Sequence, residues 1–225
     1  MTLPRCPSAV VFDMDGTLHD TEVVYHASLK RAVAAVGYAV TDAFCHSLIG
    51  IPGRECDVIL REHLGSAFPY DQYDRLRAAY INDALDTAVP VKTGAVELLQ
   101  VLSRSGMKLA VATSATRRSA ERSLGRSGLV TYFPVVVTRD DVARGKPHPD
   151  LFVLAAERLG VQPEDCLAVE DSLHGIRAAH AAGMMPVMVP DLLTPTEEIR
   201  ALCVRIALDL HEVNALLAAH VAAES

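Results

Sequence analysis

The chain has 225 residues, half of them apolar and 22% charged, with a formal net charge of −7. It is long enough to bury a substantial core, and its acidic balance argues against nucleic-acid binding, which needs an excess of basic side chains. It lacks both an apolar stretch of ~18 residues to span a membrane and the apolar segment of a secretion signal, so we expect a cytoplasmic protein.

The first predicted element is a short apolar strand at residues 9–12, typical of a strand buried in a parallel sheet. After it the apolar residues change to helical spacing, and Gly37 provides a helix stop. No strand is evident between residues 40 and 88. The predicted helical stretches of this region are residues 22–36, 54–64 and 72–85.

After residue 90 strands and helices alternate. Thr93 is expected to cap the first of these helices. A second cap is expected at Thr194-Pro195-Thr196-Glu197, a capping box with proline at the first helical position. The predicted strands are residues 107–113, 135–138, 166–171, 187–189 and 204–209, with helices at 93–102, 117–124 and 149–159, after residue 171, after residue 194 and at the C-terminus.

This alternation predicts an α/β fold whose core is a Rossmann-like, doubly wound parallel sheet. The strand at residue 9 needs the same sheet, because a single strand cannot bury itself. The core is therefore expected to be discontinuous, with residues 1–17 and 88–225 in the sheet domain. Residues 18–87 are then a helical cap inserted after the first strand.

Polar residues follow four of the predicted strands, at the edge where such a sheet binds its ligands. One or two of them can arise by chance, but four sets at one edge indicate a functional site. They are Asp13 and Asp15 after the first strand, Thr113 and Ser114 after the second, Lys146 after the third, and Glu170 and Asp171 at the end of the fourth.

The spacing of Asp13 and Asp15 suggests that a cation is bound beside them. In an extended chain both side chains point to the same side, and two like charges so close repel, so one would be protonated unless a cation sits nearby. Asp13, a backbone carbonyl and Asp171 form an oxygen-rich set that suits Mg²⁺. Gly16 lets the backbone approach an anion. Lys146 supplies a positive charge that balances the carboxylates and a phosphate.

These motifs resemble those of the haloacid dehalogenase superfamily, in its branch of phosphatases and β-phosphoglucomutase-like enzymes with a helical cap. The resemblance extends from Val10 to about Pro190, and the motifs occur in the family's order and spacing. They are DMDGT at residues 13–17, Thr113, Lys146-Pro147 and Glu170-Asp171-Ser172.

The resemblance implies a Mg²⁺-dependent phosphatase that acts on a small phosphorylated metabolite, such as a sugar phosphate. Asp13 would be the nucleophile that forms an aspartyl-phosphate, and Asp15 the general acid and then the general base. Lys146 would neutralise charge. The implied phosphate- and substrate-binding residues are Gly16, Thr113, Ser114 and Arg54, and the implied metal-binding residues are Asp13, Asp15, Glu170 and Asp171.

Two other functions stay open at this point. The related sugar-phosphate mutases carry a histidine in the first cap helix, where this chain has Tyr25 with His26 beside it. This difference favours a phosphatase over a mutase. A metabolite-binding module without catalysis is the third possibility, although such a module has no need for Asp15.

Overall fold

The computed structural model describes residues 3–48, 53–191 and 193–223, and it confirms the predicted α/β fold with a doubly wound parallel sheet. Six strands lie in the order β3-β2-β1-β4-β5-β6, and all neighbours are parallel. After β1 the chain adds β2 and β3 on one side of that central strand, and then β4, β5 and β6 on its other side. The strands are β1 (Ala9–Phe12), β2 (Lys108–Ala112), β3 (Val135–Val137), β4 (Cys166–Glu170), β5 (Met185–Met188) and β6 (Arg205–Ile206).

The α-helices account for most of the remaining ordered structure. In the part of the chain that the structure describes, none of them has the length and apolar character needed to cross a membrane. They are α1 (Glu22–Ala35), α2 (Asp42–Ser47), α3 (Gly53–Leu64), α4 (Tyr70–Thr87), α5 (Ala95–Arg104), α6 (Arg117–Ser127), α7 (Asp150–Leu159), α8 (Leu173–Ala181), α9 (Glu197–Leu202) and α10 (Leu210–Ala223).

The chain divides into two compact units. Met1–Asp20 and Pro90–Ser225 form the first unit, which contains the sheet, and Thr21–Val89 forms the second. Among the described residues of the second unit there are helices α1 to α4 and no strand. This unit has its own apolar core, which includes Leu29 and Tyr73. That it works as a cap stays a prediction.

Both faces of the sheet are covered by helices. Val10 and Phe12 pack on the face covered by α5, α6 and α10, whereas Ala9 and Val11 pack on the face covered by α7 and α8. All four residues of β1 are fully buried. Burial on both faces explains why β1 is a continuous apolar run instead of an alternating pattern.

Two predicted helix caps are wrong. The residue that precedes α5 is Gly94 and not Thr93, and it has a left-handed backbone with a φ of 85°. A Cβ there would lie 3.0 Å from the His211 backbone nitrogen. At α9 the cap is Thr196, whose hydroxyl accepts from the Ile199 N–H at 3.3 Å. A start there places two glutamates in the first turn, where negative charge is favourable.

Candidate active site

Neighbouring strands bring two acidic residues together at one edge of the sheet. Phe12 of β1 pairs with Val169 of β4, so the next residues, Asp13 and Glu170, are also neighbours. The Asp13 N–H donates to the Val169 carbonyl at 2.9 Å. The strand order changes direction between β1 and β4, and doubly wound sheets bind their ligands at such a point.

The Lys146 ammonium joins these two carboxylates. Its Nζ donates to Asp13 Oδ1 at 2.5 Å and to Glu170 Oε1 at 2.6 Å. The lysine side chain is 5% exposed and that of Glu170 is 0% exposed, so little water screens the charges. Burial lowers the pKa of Lys146, but the two carboxylates outweigh it and the net shift is upward. The lysine is therefore positively charged.

Glu170 is held on both carboxylate oxygens by groups of the protein. Oε1 accepts from Lys146, and Oε2 accepts from the Ser172 N–H at 2.8 Å and from the Ser172 hydroxyl at 2.9 Å. The same hydroxyl accepts from the Gly175 N–H at 3.0 Å and caps α8. These contacts fix the orientation of Glu170 and, through it, the position of the Lys146 ammonium.

The loop after β1 contacts Asp171, the residue that follows β4. The Thr17 hydroxyl donates to Asp171 Oδ1 at 2.9 Å, and Gly16 lies against the same carboxylate. Gly16 has a φ of 88°, a conformation that glycine adopts readily and other residues rarely do. The loop therefore brings the Asp171 carboxylate to the same edge as Asp13.

Two carboxylates of this edge, those of Asp13 and Asp171, have raised pKa values. Burial is the largest cause for Asp13 and, together with the charge of Glu170, it raises the pKa to about 8 against the opposing effect of Lys146. Burial also raises the pKa of Asp171 well above its ordinary value, and the charges of Glu170 and Asp13 add to this. The site therefore favours additional positive charge.

A divalent cation would supply that charge. Asp13, Glu170 and Asp171 carry three negative charges when ionised, against the single positive charge of Lys146. Within residues 3–48, 53–191 and 193–223, no three acidic, imidazole or thiol side chains already form a ligand cage. Mg²⁺ needs only one or two carboxylates and completes its shell with water, so the hard oxygen donors of this edge fit it.

Residues 10–189 match the family of haloacid dehalogenase-like hydrolases. The chain belongs to this family. It is 35% identical over 176 residues to a phosphorylated carbohydrates phosphatase of Thermotoga maritima, covering 78% of this chain and 82% of the relative. It is 34% identical over 184 residues to the fructose-1-phosphate phosphatase of Escherichia coli, covering 81% and 96%.

A solved structure is similar over nearly the whole chain. It is the crystal structure of a candidate β-phosphoglucomutase from Thermotoga maritima, with 31% identity, a TM-score of 0.82 and coverage of 94% of this chain and 98% of that one. The predicted superfamily and branch are confirmed. This haloacid dehalogenase-like hydrolase is an enzyme, a phosphoric monoester hydrolase.

Two predicted phosphate-binding residues of this hydrolase, Thr113 and Ser114, follow β2. Thr113 is 1% exposed, and its Oγ1 accepts from the Ala115 N–H at 3.0 Å. Ser114 is exposed. Neither residue caps the helix that follows, because Thr116 is the cap of α6. Their role in binding phosphate stays a prediction.

The structure describes the surroundings of Asp15, another predicted site residue, but not those of the Arg54 side chain. Asp15 pairs with His19 in the loop after β1, and its charge is among the causes that raise the pKa of Asp13. The two aspartates of the motif are therefore close enough to interact. Arg54 lies in α3, but its side chain is outside the described part of the chain, and its role stays a prediction.

Two residues around the site were missed at the level of sequence. Thr17 lies within the DMDGT motif, but its bond to Asp171 joins residues 154 positions apart and has no local signal. Gly175 lies in α8, and a Cβ on it would lie 1.6 Å from Glu170 Oε1. A glycine inside a helix is unfavourable and often has a packing reason, which is the signal that could have identified it.

Proposed function

We propose that this enzyme hydrolyses a small phosphomonoester, a sugar phosphate or a similar metabolite, with Mg²⁺ and through a phosphorylated Asp13. The names of its relatives support this substrate class, since two of them are phosphatases of phosphorylated carbohydrates and of fructose 1-phosphate. The observation that carries the proposal is the buried Lys146 ammonium between Asp13 and Glu170. This contact orients one carboxylate and places a positive charge beside it.

The reaction would proceed in two displacements. First, an Asp13 carboxylate oxygen attacks phosphorus, the bond from phosphorus to the leaving oxygen breaks, and Asp15 donates its proton to that oxygen. Next, water attacks the phosphorus of the aspartyl-phosphate while Asp15 accepts a proton from it. The bond to Asp13 then breaks and inorganic phosphate leaves.

Positioning and charge would provide most of the rate enhancement, as in other phosphoryl transfers. Lys146 holds Asp13 Oδ1 and so fixes the orientation of the attacking carboxylate. The same ammonium would balance charge on the phosphoryl oxygens. The Thr113 hydroxyl and the Ser114 N–H would donate to these oxygens, and Gly16 would leave room for them.

Mg²⁺ would be held by Asp13, Asp171 and a backbone carbonyl at Asp15. When bound, it supplies positive charge that keeps the carboxylates ionised and neutralises phosphoryl oxygens. Among the predicted ligands, Glu170 is the least suited to direct contact, because both of its oxygens already accept from Lys146 or Ser172. Its proposed role is to hold Lys146 in place.

A phosphatase assay across a panel of metabolite phosphates tests the proposal. With Mg²⁺ present the protein should release inorganic phosphate, and chelation should remove the activity until Mg²⁺ is restored. Asp13→Asn should reduce turnover on the order of 10³-fold or more. Asp165→Asn is the matched control, because Asp165 pairs with Arg5 at the exposed surface, and it should retain activity. Unchanged turnover in Asp13→Asn would exclude the mechanism.

A mutase is the second candidate, because the similar solved structure is a candidate β-phosphoglucomutase. Tyr25 of α1 stands where the resemblance places the histidine of the mutases, which favours hydrolysis. Product analysis separates the two. A mutase should isomerise a sugar phosphate faster than it releases phosphate and should depend on a bisphosphate activator, whereas a phosphatase should release phosphate without one.

A further inference from the structure

The two chain segments at the ends of the helical insertion, residues 18–20 and 90–92, run side by side within the sheet unit. The Asp20 N–H donates to the Pro90 carbonyl, and the Lys92 N–H donates to the Leu18 carbonyl, both at 2.9 Å. Between these bonds His19 and Val91 form an antiparallel pair. The position of residue 92 is therefore tied to that of residues 18–20.

The Lys92 side chain adds a second connection between these segments. Its Nζ donates to Asp191 Oδ1 at 2.6 Å and forms an ion pair with Asp20 Oδ1 at 3.1 Å. The Lys92 and Asp191 side chains are 21% and 12% exposed, so this pair is screened less than a surface salt bridge. Asp191 lies beyond the end of β5. Lys92 therefore links the segment after β1 to the segment after β5.

This ion-pair group adjoins the catalytic loop. A cavity of about 250 Å³ is lined by Gly16 and Thr17 as well as by Asp20, Lys92 and Asp191. Its lining therefore includes both the loop that holds Asp171 and the three residues of the ion-pair group. A substitution of Asp20, Lys92 or Asp191 would therefore alter the surroundings of the loop.

Backbone hydrogen bonds tie together the short segment that connects Asp15 to Asp20, in which Asp15 and His19 form a bridge. The Gly16 N–H donates to the His19 carbonyl at 2.8 Å, and the N–H groups of Leu18 and His19 donate to the Met14 carbonyl at 2.9 Å. Residues 14–19 therefore form a closed loop, which leaves little freedom between Asp20 and Asp15. A shift of Asp20 would pass to the carboxylate of Asp15.

We propose that Lys92 is a positioning residue for Asp15, and that it holds the general acid in line with the departing oxygen. This inference rests on the proposed function, in which Asp15 protonates the leaving group. Lys92 itself makes no contact with the reacting atoms in this scheme. Its contribution should therefore depend on how strongly the leaving group needs a proton.

Leaving groups of different basicity provide the test. Removing Lys92 should lower kcat/KM for an alkyl phosphate, whose alkoxide needs a proton, about tenfold more than for 2,4-dinitrophenyl phosphate, whose phenolate does not. The parameter kcat/KM is the right one because it covers the steps up to departure of the leaving group. Lys92→Met is the main variant, and Lys92→Arg, which keeps the charge, should restore most of the lost activity toward the alkyl phosphate.

Three further variants make the result decisive. Asp20→Ala breaks the contact to the loop but leaves Lys92 paired with Asp191, so it should show the same selectivity even if Lys92→Met does not fold. Arg177→Met removes an ion pair to Glu198 in the same unit and should affect both substrates equally. Asp15→Asn should show the largest selectivity.

The outcomes separate the two proposals. If Asp15→Asn is selective for the alkyl phosphate but Lys92→Met and Asp20→Ala lower both substrates equally, Lys92 has only a structural role and the inference is wrong. If Asp15→Asn itself shows no selectivity, the general-acid role of Asp15 fails and the inference fails with it. Selective loss in Asp15→Asn, Lys92→Met and Asp20→Ala, with rescue by Lys92→Arg, supports both.

Discussion

Gly16 and Asp171 approach each other so closely that a Cβ on residue 16 would lie 2.3 Å from Asp171 Oδ2. A Cβ essentially never comes that close to an atom of a distant residue, so one of the two residues would have to move. The contact joins the loop after β1 to the residue after β4. Glycine at position 16 therefore decides where the Asp171 carboxylate can lie.

Gly16→Ala should reduce both activity and the response to Mg²⁺. The left-handed backbone alone should cost about 1–2 kcal/mol of unfolding free energy. Gly183→Ala is the matched control, since Gly183 has a similar φ of 83° but nothing within 4 Å of its added Cβ. We expect this loss in Gly183→Ala and a larger one in Gly16→Ala, where the added Cβ also collides with the Asp171 carboxylate. Only Gly16→Ala should raise the Mg²⁺ concentration for half-maximal activity, by about 10-fold or more. Equal Mg²⁺ curves for the two variants would contradict this.

Lys146→Met should reduce activity and stability together, because it leaves Asp13 and Glu170 buried without their counter-charge. Loss of one partner of a buried ion pair costs about 3–5 kcal/mol. Lys146→Arg should not restore activity, since a planar guanidinium does not replace a compact ammonium between two carboxylates. Phosphate release and chemical denaturation measure the two effects.

The control for Lys146 lies two residues earlier in the same segment. Arg144 pairs with Asp150 at the surface, where its side chain is 59% exposed. Arg144→Met should therefore change the unfolding free energy by less than about 1 kcal/mol and leave turnover intact. Comparable losses in Arg144→Met and Lys146→Met would mean that the segment, and not the buried ammonium, is responsible.

Gly175→Ala should displace Glu170, because the new methyl group would occupy the place of its carboxylate. We expect a loss of about 1–3 kcal/mol from the crowding, and lower activity as the Lys146 ammonium shifts. Gly125→Ala is the matched change in another helix, α6, where nothing lies within 4 Å. It should raise the unfolding free energy by up to about 1 kcal/mol through helix propensity alone. Stabilisation by both substitutions would show that Glu170 tolerates the methyl group.

The position of the site could be predicted from sequence because it follows from local patterns. Apolar runs mark buried strands, and parallel strands end at one edge, so Asp13, Lys146 and Glu170 were expected to meet. The structure brings these three residues into contact. The prediction needed only strand ends and strand direction, both of which are encoded within a few residues.

Contacts between distant segments could not be predicted in the same way. The approach of Gly16 to Asp171 and that of Gly175 to Glu170 depend on how the loops pack in three dimensions. The helix caps at Thr93 and Thr194 were wrong for a related reason. A threonine or glycine one or two residues further on offers an equivalent local signal, and packing, such as that of His211 against Gly94, contributes to which residue becomes the cap.

His19, in the loop after Asp15, is fully buried and has one identified side-chain bond. The Ser127 hydroxyl donates to the Leu124 carbonyl at 3.2 Å, so its oxygen accepts from the N–H of His19 Nε2, which lies 2.9 Å from Ser127 Oγ. Within the described residues Nδ1 has no hydrogen-bond partner. Burial lowers the pKa of His19 to about 4 from an ordinary value of 6.5, and the imidazole is therefore neutral at pH 7.

This lowered pKa should make the protein less stable in mild acid. Above pH 6.5 His19 is neutral in both states and contributes no pH dependence. As the pH falls from 6.5 to 4, His19 becomes protonated in the unfolded chain but stays neutral in the folded protein. The unfolding free energy therefore falls by about 3 kcal/mol in total. Below pH 4 this loss stops growing. Denaturant melts of His19→Gln should show a flatter slope across this range, whereas Ser127→Ala, which keeps the imidazole, should retain the original slope. Identical slopes in His19→Gln and the parent protein would assign the acid sensitivity to other groups.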